Sequence, residues 1–225
     1  MLAIQVAELR FATEEGVWVF DGLSFGVARE GFLWVVGPAG SGKTLLLRIL
    51  LGEIRPHGGQ ILLLGRNILR ISRRKFQGLR RKVGYMPEEP NALFGRTVLG
   101  NLQFKLRALG VRGEAAKEGV ERALDLAGLR GREDLRPENL NPLELRCLDL
   151  ALALCPDCSI LLADDPLRNL TKEAKEDFLS VLERVNQAGI TILATSREDE
   201  TLLRRGFSQK GGSRGLVYLR EGLAR

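Results

Sequence analysis

The chain is predicted to fold as an α/β protein around a mainly parallel sheet, and three features of the sequence carry that expectation. An apolar run, Phe32-Leu33-Trp34-Val35-Val36, stops at a glycine-rich loop and is followed by a helix-like segment from Leu45 to Leu51. Two later runs, Ile160-Leu161-Leu162-Ala163 and Ile190-Thr191-Ile192-Leu193-Ala194, read as buried strands. An amphipathic segment from Lys172 to Gln187 separates them. Strands that alternate with helices pair in parallel, and ligands then bind beyond the carboxyl ends of the strands.

Taken in order, the opening third alternates apolar and polar positions in short segments, Ile4–Val6, Val17–Phe20 and Leu23–Val27. After the turn Arg55-Pro56-His57-Gly58-Gly59 comes a strand from Gln60 to Leu64, then a basic helix-like segment, then a strand from Lys82 to Met86. From about Glu88 to Leu154 the pattern is mainly helical, with Ala115 to Ala127 amphipathic. The segment from Gly206 to Gly215, rich in glycine and positive charge, is expected to be a mobile loop before a final hairpin. One domain over residues 1–225 is expected: residues 1–87 and 156–225 form the α/β core, and residues 88–155 an inserted helical subdomain.

Composition narrows the function. A chain of 225 residues that is 44% hydrophobic can bury a substantial core without covalent staples. No apolar stretch approaches the roughly 20 residues of a spanning helix, and the first residues lack the pattern of a secretory signal, so a cytoplasmic protein is expected. Three cysteines, Cys147, Cys155 and Cys158, are too few for a disulfide framework. Cys155 and Cys158 have the spacing of half a zinc site, but no second ligand pair exists and the single histidine, His57, is far away, which favours structural thiols. The net charge of +6 is concentrated in Arg66 to Lys82 and Arg204 to Arg214. Neither stretch interleaves aromatics, so nucleic acid is the weaker reading of the charge.

The loop Gly37-Pro38-Ala39-Gly40-Ser41-Gly42-Lys43-Thr44 matches the full phosphate-binding pattern between a strand and a helix. Glycines there let backbone N–H groups curl around a phosphate at a helix start. Lys43 is placed to reach the β- and γ-phosphates of ATP, and Thr44 to give its hydroxyl to Mg²⁺. Downstream, the apolar run ending in Asp164 fits the strand whose carboxylate holds Mg²⁺ through water.

From these residues outward the chain resembles the ABC (ATP-binding cassette) ATPases. Leu161-Leu162-Ala163-Asp164-Asp165-Pro166-Leu167-Arg168-Asn169-Leu170-Thr171 is similar to that family's LLADEPTGNLD. Leu79 to Tyr85 resembles the strand leading to its Q-loop, and Arg96-Thr97-Val98-Leu99-Gly100-Asn101-Leu102 the segment opening its helical subdomain. Within the family the likeness is to FtsE-type cell-division ATPases and their lipoprotein-exporter relatives, over nearly the whole chain. The resemblance implies a P-loop NTPase fold with an N-terminal antiparallel β subdomain and an inserted helical subdomain. It also implies ATP and Mg²⁺ as ligands, a dimer with itself or another ABC domain, an FtsX-like integral membrane partner, and a location at the inner face of the membrane. The docking surface would lie around Glu88 to Arg96.

Several motif positions depart from the family. The LSGGQ signature is Leu140-Asn141-Pro142-Leu143-Glu144, in which Pro142 has no N–H and Leu143 is bulky where a phosphate must approach. Those residues instead suit a helix start, with Asn141 as N-cap, Pro142 first in the helix and Glu144 closing a capping box. Asp165 stands for the catalytic glutamate, one methylene shorter. Glu88 stands for the Q-loop glutamine, where it can approach Mg²⁺ but adds negative charge beside a triphosphate. Ser196 stands for the switch histidine and cannot supply a cationic imidazolium, and Thr171 stands for the D-loop aspartate. Phe11 is expected to stack on adenine, with Trp18 as the other candidate. The functional expectation is an ATP-binding subunit with slow hydrolysis, coupled to a membrane partner. A non-hydrolysing regulator and a soluble ABC ATPase acting on nucleic acid or ribosomes are the alternatives.

Overall fold

The computed structural model describes residues 1–198, 200–208 and 214–219. Its first apolar segments join into long strands, β1 (Leu2–Ala12) and β2 (Trp18–Ala28), paired antiparallel. The sequence pattern resolved them only as short pieces because the ladder slips register between Val6 and Leu9 and again between Leu9 and Arg10, with Glu8 at a φ of 50°. A slip of one residue turns the following side chains to the opposite face and breaks the period-2 alternation.

The run at residues 32–36 forms β3 (Phe32–Val36), which is buried at every position, and α1 (Lys43–Leu50) follows it. β4 (Gly58–Leu63) and the short β5 (Arg66–Asn67) complete an antiparallel sheet of order β2-β1-β4-β5. The basic segment is α2 (Arg73–Arg80), in which only Leu79 is buried. β6 (Val83–Met86) then enters the second sheet.

Three α-helices lie between β6 and the next strand: α3 (Val98–Ala108), α4 (Glu114–Ala127) and α5 (Pro142–Leu154). Thr97 caps α3 by accepting from Gly100 N–H at 3.0 Å. From Arg146 to Leu154 every residue of α5 is buried, because this helix packs on β6 and shares one hydrophobic cluster with the sheet. Then follow β7 (Ile160–Ala163), α6 (Lys172–Gln187), β8 (Thr191–Ser196), α7 (Glu200–Arg204) and β9 (Arg214–Tyr218).

The second sheet has the order β6-β7-β8-β3-β9 and is parallel throughout. Both its faces are covered. Phe32, Trp34 and Val36 of β3 join Leu161, Ala163, Ile192 and Ala194 in the cluster shared with α3 to α6. Leu33, Val35, Ile160, Leu162 and Leu193 face the other way, onto α1 and the antiparallel layer. A sheet buried on both sides explains why these strands read as continuous apolar runs.

In the described part of the carboxyl end, β9 runs parallel to β3, pairing Phe32 with Arg214 through Val36 with Tyr218, and so extends the core sheet. The remainder of the expected loop and hairpin, residues 209–213 and 220–225, lies outside the described residues. No helix among the described residues is long and apolar enough to cross a membrane.

Candidate functional site

The strand order brings the ends of β3, β6, β7 and β8 to one edge, where the loops following them surround a cleft of about 350 Å³. Ala39, Gly40, Gly42, Lys43 and Thr44 line one side, and Asp164, Asp165, Glu88 and Arg197 the other, with Val19 and Leu45 completing it. The first side is built by glycine. Gly42 sits at a φ of 89°, and a Cβ there would lie 2.6 Å from Val19 Cγ1, so no other residue lets the loop turn into α1 under β2. Helix α1 starts with no side-chain cap and no acidic residue in its first turn. Its first amide donors and the positive end of its dipole therefore face the cleft without internal competition, which fits a phosphate group.

Lys43 is buried, with Nζ donating to the carbonyl oxygens of Gly37 at 2.6 Å and Pro38 at 2.7 Å. Burial holds its ammonium below the usual range; Asp165 pulls the other way and Arg197 adds to the lowering. Thr44, next along α1, is exposed to the cleft. Ser41 is buried within the loop, near the Lys43 ammonium at 3.5 Å.

Opposite, Asp164 is buried and accepts from the Thr195 hydroxyl at 2.9 Å. Thr195 in turn accepts from the Asp165 N–H at 2.8 Å, so one hydroxyl orients both acidic residues. Tyr85 is pushed up to about 12, chiefly by burial and then by Asp164. Asp165 has a φ of 42°, a left-handed conformation that aspartate tolerates better than most residues. Burial raises its pKa, and Arg197, 3.2 Å from its carboxylate, opposes that rise.

Glu88 does not stand as an isolated negative charge. Its Oε1 accepts from Arg197 at 2.7 Å and from Arg168, which also reaches Glu89 at 3.1 Å. The sequence pattern did not single out Arg168 or Arg197, because they meet Glu88 from 80 and 109 residues away. Ser196 is turned from this cleft: its hydroxyl donates to Glu198 O at 2.7 Å, accepts from Glu198 N–H at 3.2 Å, and faces a neighbouring cleft of about 360 Å³.

The chemistry of the donor set is compatible with a nucleotide and a hard cation: the Thr44 hydroxyl and the Asp164, Asp165 and Glu88 carboxylates line the same cleft as the glycine-rich loop. A hard cation bound by few protein groups takes its other ligands from phosphates and water.

Residues 20–168 match the profile of the ABC transporter family. The chain belongs to the ABC transporter family. Among ABC relatives, the methionine import ATP-binding protein MetN of Carboxydothermus hydrogenoformans is 31% identical over 88% of the chain. The chain spans only 59% of that relative's length. The cell division ATP-binding protein FtsE of Escherichia coli K12 is 30% identical over 85% of this chain and 86% of its own. A bacterial ABC transporter cassette solved as a dimer superposes with a TM-score of 0.78, covering 97% of this chain and 95% of the other at 21% identity. That likeness supports the P-loop NTPase fold of ABC cassettes.

Two ABC motif positions serve helix starts in this chain. Glu144 N–H donates to Asn141 Oδ1 at 2.9 Å, and Asn141 N–H donates to Glu144 Oε2 at 3.0 Å, a closed capping box with Pro142 in the first turn. Glu144 Oε1 also accepts from Arg132 at 2.8 Å, and the Asn141 N–H first, then Arg132, holds its carboxylate below the usual range. At this position the Asn141 and Glu144 N–H groups are therefore engaged in the capping box, Pro142 has none, and the Glu144 carboxylate sits among them. Thr171 caps α6 by accepting from Ala174 N–H at 3.3 Å.

Phe11 lies outside the lining of this cleft. Its ring meets the edge of His57 at 5.3 Å, and Trp18 meets the same imidazole at 6.3 Å. His57 itself accepts from Ala12 N–H at 3.2 Å and so fixes the three rings together. The apolar side chain of β2 that reaches the cleft is Val19.

Proposed function

We propose that this protein is the ATP-binding subunit of an FtsE-like ABC complex that binds MgATP tightly and hydrolyses it slowly. The observation that supports this most directly is the meeting of Lys43 and Thr44 with Asp164 and Asp165 across one cleft. In this reading the loop from Gly37 to Thr44 wraps the phosphates, Thr44 and Asp164 hold Mg²⁺ with Glu88 beside it, and Asp165 orients the attacking water. Adenine lies against Val19, toward Phe11. Slow turnover follows from the shortened Asp165 and from Ser196, whose hydroxyl is committed to Glu198. Misplacement by about 1 Å costs on the order of 10²-fold in rate.

The membrane partner, FtsX-like by the FtsE resemblance, is proposed to dock around Glu88 to Arg96. Leu93 and Phe94 are exposed there, and Phe104, also exposed, carries Arg96 over its ring at 4.6 Å. Such apolar exposure beside charge suits a protein contact. The dimeric relative supports pairing with a second cassette, its own copy or another, and the complex would sit at the cytoplasmic face of the membrane. The capping box at Asn141 favours a second reading, a regulator that binds ATP without turnover.

Phosphate release by purified protein with Mg²⁺, set against a Lys43→Ala control, separates the two. Turnover that disappears in the control establishes the ATPase. Nucleotide binding without turnover, with the membrane partner present, establishes the regulator, and no Lys43-dependent nucleotide binding overturns both.

A further inference from the structure

Arg197 holds an unusual position for a surface residue. It follows directly on β8, its side chain is 47% exposed, and yet its guanidinium is drawn inward over two carboxylates, Asp165 at 3.2 Å and Glu88 at 2.7 Å. It lines the cleft together with Lys43, Thr44 and Asp164. It also lines the neighbouring cleft with Asp165 and Arg168, so it forms the wall between the two.

Three features of its surroundings bear on what this side chain does. Its neighbour Ser196 is satisfied on both counts by the backbone of Glu198, leaving Arg197 to bring positive charge to the end of β8. Glu88 has a second cation, Arg168, so it stays neutralised when Arg197 leaves it. Finally, Arg197 and Lys43 line the same cleft, Lys43 from the glycine-rich loop and Arg197 from the end of β8. Two cations on the walls of one cleft suit an anion more highly charged than a single carboxylate.

We propose that Arg197 is the residue by which this site distinguishes a nucleoside triphosphate from a diphosphate, exchanging its contacts with Asp165 and Glu88 for the terminal phosphate. The inference rests on the reading that the cleft binds MgATP. The planar guanidinium can hold a phosphate by two N–H groups, which an ammonium cannot copy. Its departure also frees the Asp165 carboxylate, so the water-orienting group becomes available only when a terminal phosphate is present to receive the arginine.

Calorimetric titration of wild type, Arg197→Gln and Arg197→Lys with Mg²⁺ and either ADP or a non-hydrolysable ATP analogue tests this. Arg197→Gln is expected to weaken the triphosphate analogue by about tenfold or more, the scale of one charge-assisted hydrogen bond, while ADP affinity stays within about twofold. Arg197→Lys should fall between. The unchanged ADP affinity doubles as proof that the variant is folded. Equal losses for both nucleotides, or no loss for either, overturn the proposal and leave the ATP-binding reading standing. Failure of wild type to bind either nucleotide overturns that reading and this one with it.

Discussion

Arg146, buried in α5, donates to the carbonyl oxygen of Glu88 at 3.2 Å and so joins the inserted helices to the edge of the candidate cleft. The same guanidinium reaches the carbonyl of Pro87 at 3.3 Å and that of Pro166 at 3.3 Å, and it pairs with buried Asp149 at 3.3 Å. Asp149 passes the connection on by accepting from Asn91 N–H at 3.0 Å. One ion pair thus fixes the loop after β6 and the loop after β7 relative to α5.

Removing one member of that pair strands the other. Arg146→Ala is expected to lower stability by about 3–5 kcal/mol, because it leaves the Asp149 carboxylate buried without its cation. The double variant Arg146→Met with Asp149→Leu should recover most of the loss, since two apolar side chains of similar size carry no charge to desolvate. Urea unfolding of both variants checks this, and a double variant as unstable as the single would show that the carbonyl contacts, not the buried charge, are decisive.

The same aspartate gives stability a pH dependence. Burial pushes Asp149 up to about 6, from 3.8, with Arg146 and the Asn91 amide opposing. Between those values the folded state holds a proton that the unfolded chain releases. Its stabilising contribution is therefore full below pH 3.8 and is lost as the pH rises to about 6. Relative to Asp149→Asn, wild type should lose stability across that window and run parallel to the variant above it, as measured by unfolding at a series of pH values.

The start of α5 should behave as architecture. Asn141→Ala is expected to cost about 1 kcal/mol, the usual worth of an N-cap, and to leave MgATP affinity of the isolated protein unchanged. Thermal unfolding and nucleotide titration of the same preparation decide it. A large loss of affinity would instead place Asn141 in contact with nucleotide.

The three thiols should be inert in the native state. Burial pushes Cys147 and Cys155 up to about 12 and Cys158 up to about 11, far from the thiolate that reacts. A thiol reagent at pH 8 should titrate almost none until denaturant is added, and then all three. Rapid native labelling of Cys155 or Cys158 would revive a redox role for that pair.

Much of the ABC cassette was legible along the chain because it is written in local spacing. The eight residues from Gly37 to Thr44 specify a loop whose conformation, glycine by glycine, only a phosphate-binding turn needs, and the apolar runs of β3, β7 and β8 announce a sheet covered on both faces. The capping box at Asn141 and Glu144 was equally visible, since both partners lie within one turn. The strands β1 and β2 were read in fragments because register slips hide their period, and β9 could not be placed because nothing local says which edge a last strand joins.

The electrostatics of the cleft belong to the tertiary structure. From the sequence, Glu88 is a surplus negative charge and Ser196 the loss of a cation; in the fold, Arg168 and Arg197 neutralise the first, and Arg197 stands next to Ser196 at the end of β8. Spacing along the chain could not reveal this, since what brings these side chains together is the parallel order of β6, β7 and β8, which sets their carboxyl ends side by side. The sequence by itself determined that the loop from Gly37 to Thr44 has the phosphate-binding pattern and where along the chain it lies; only the packing of the strands decided which charges surround it.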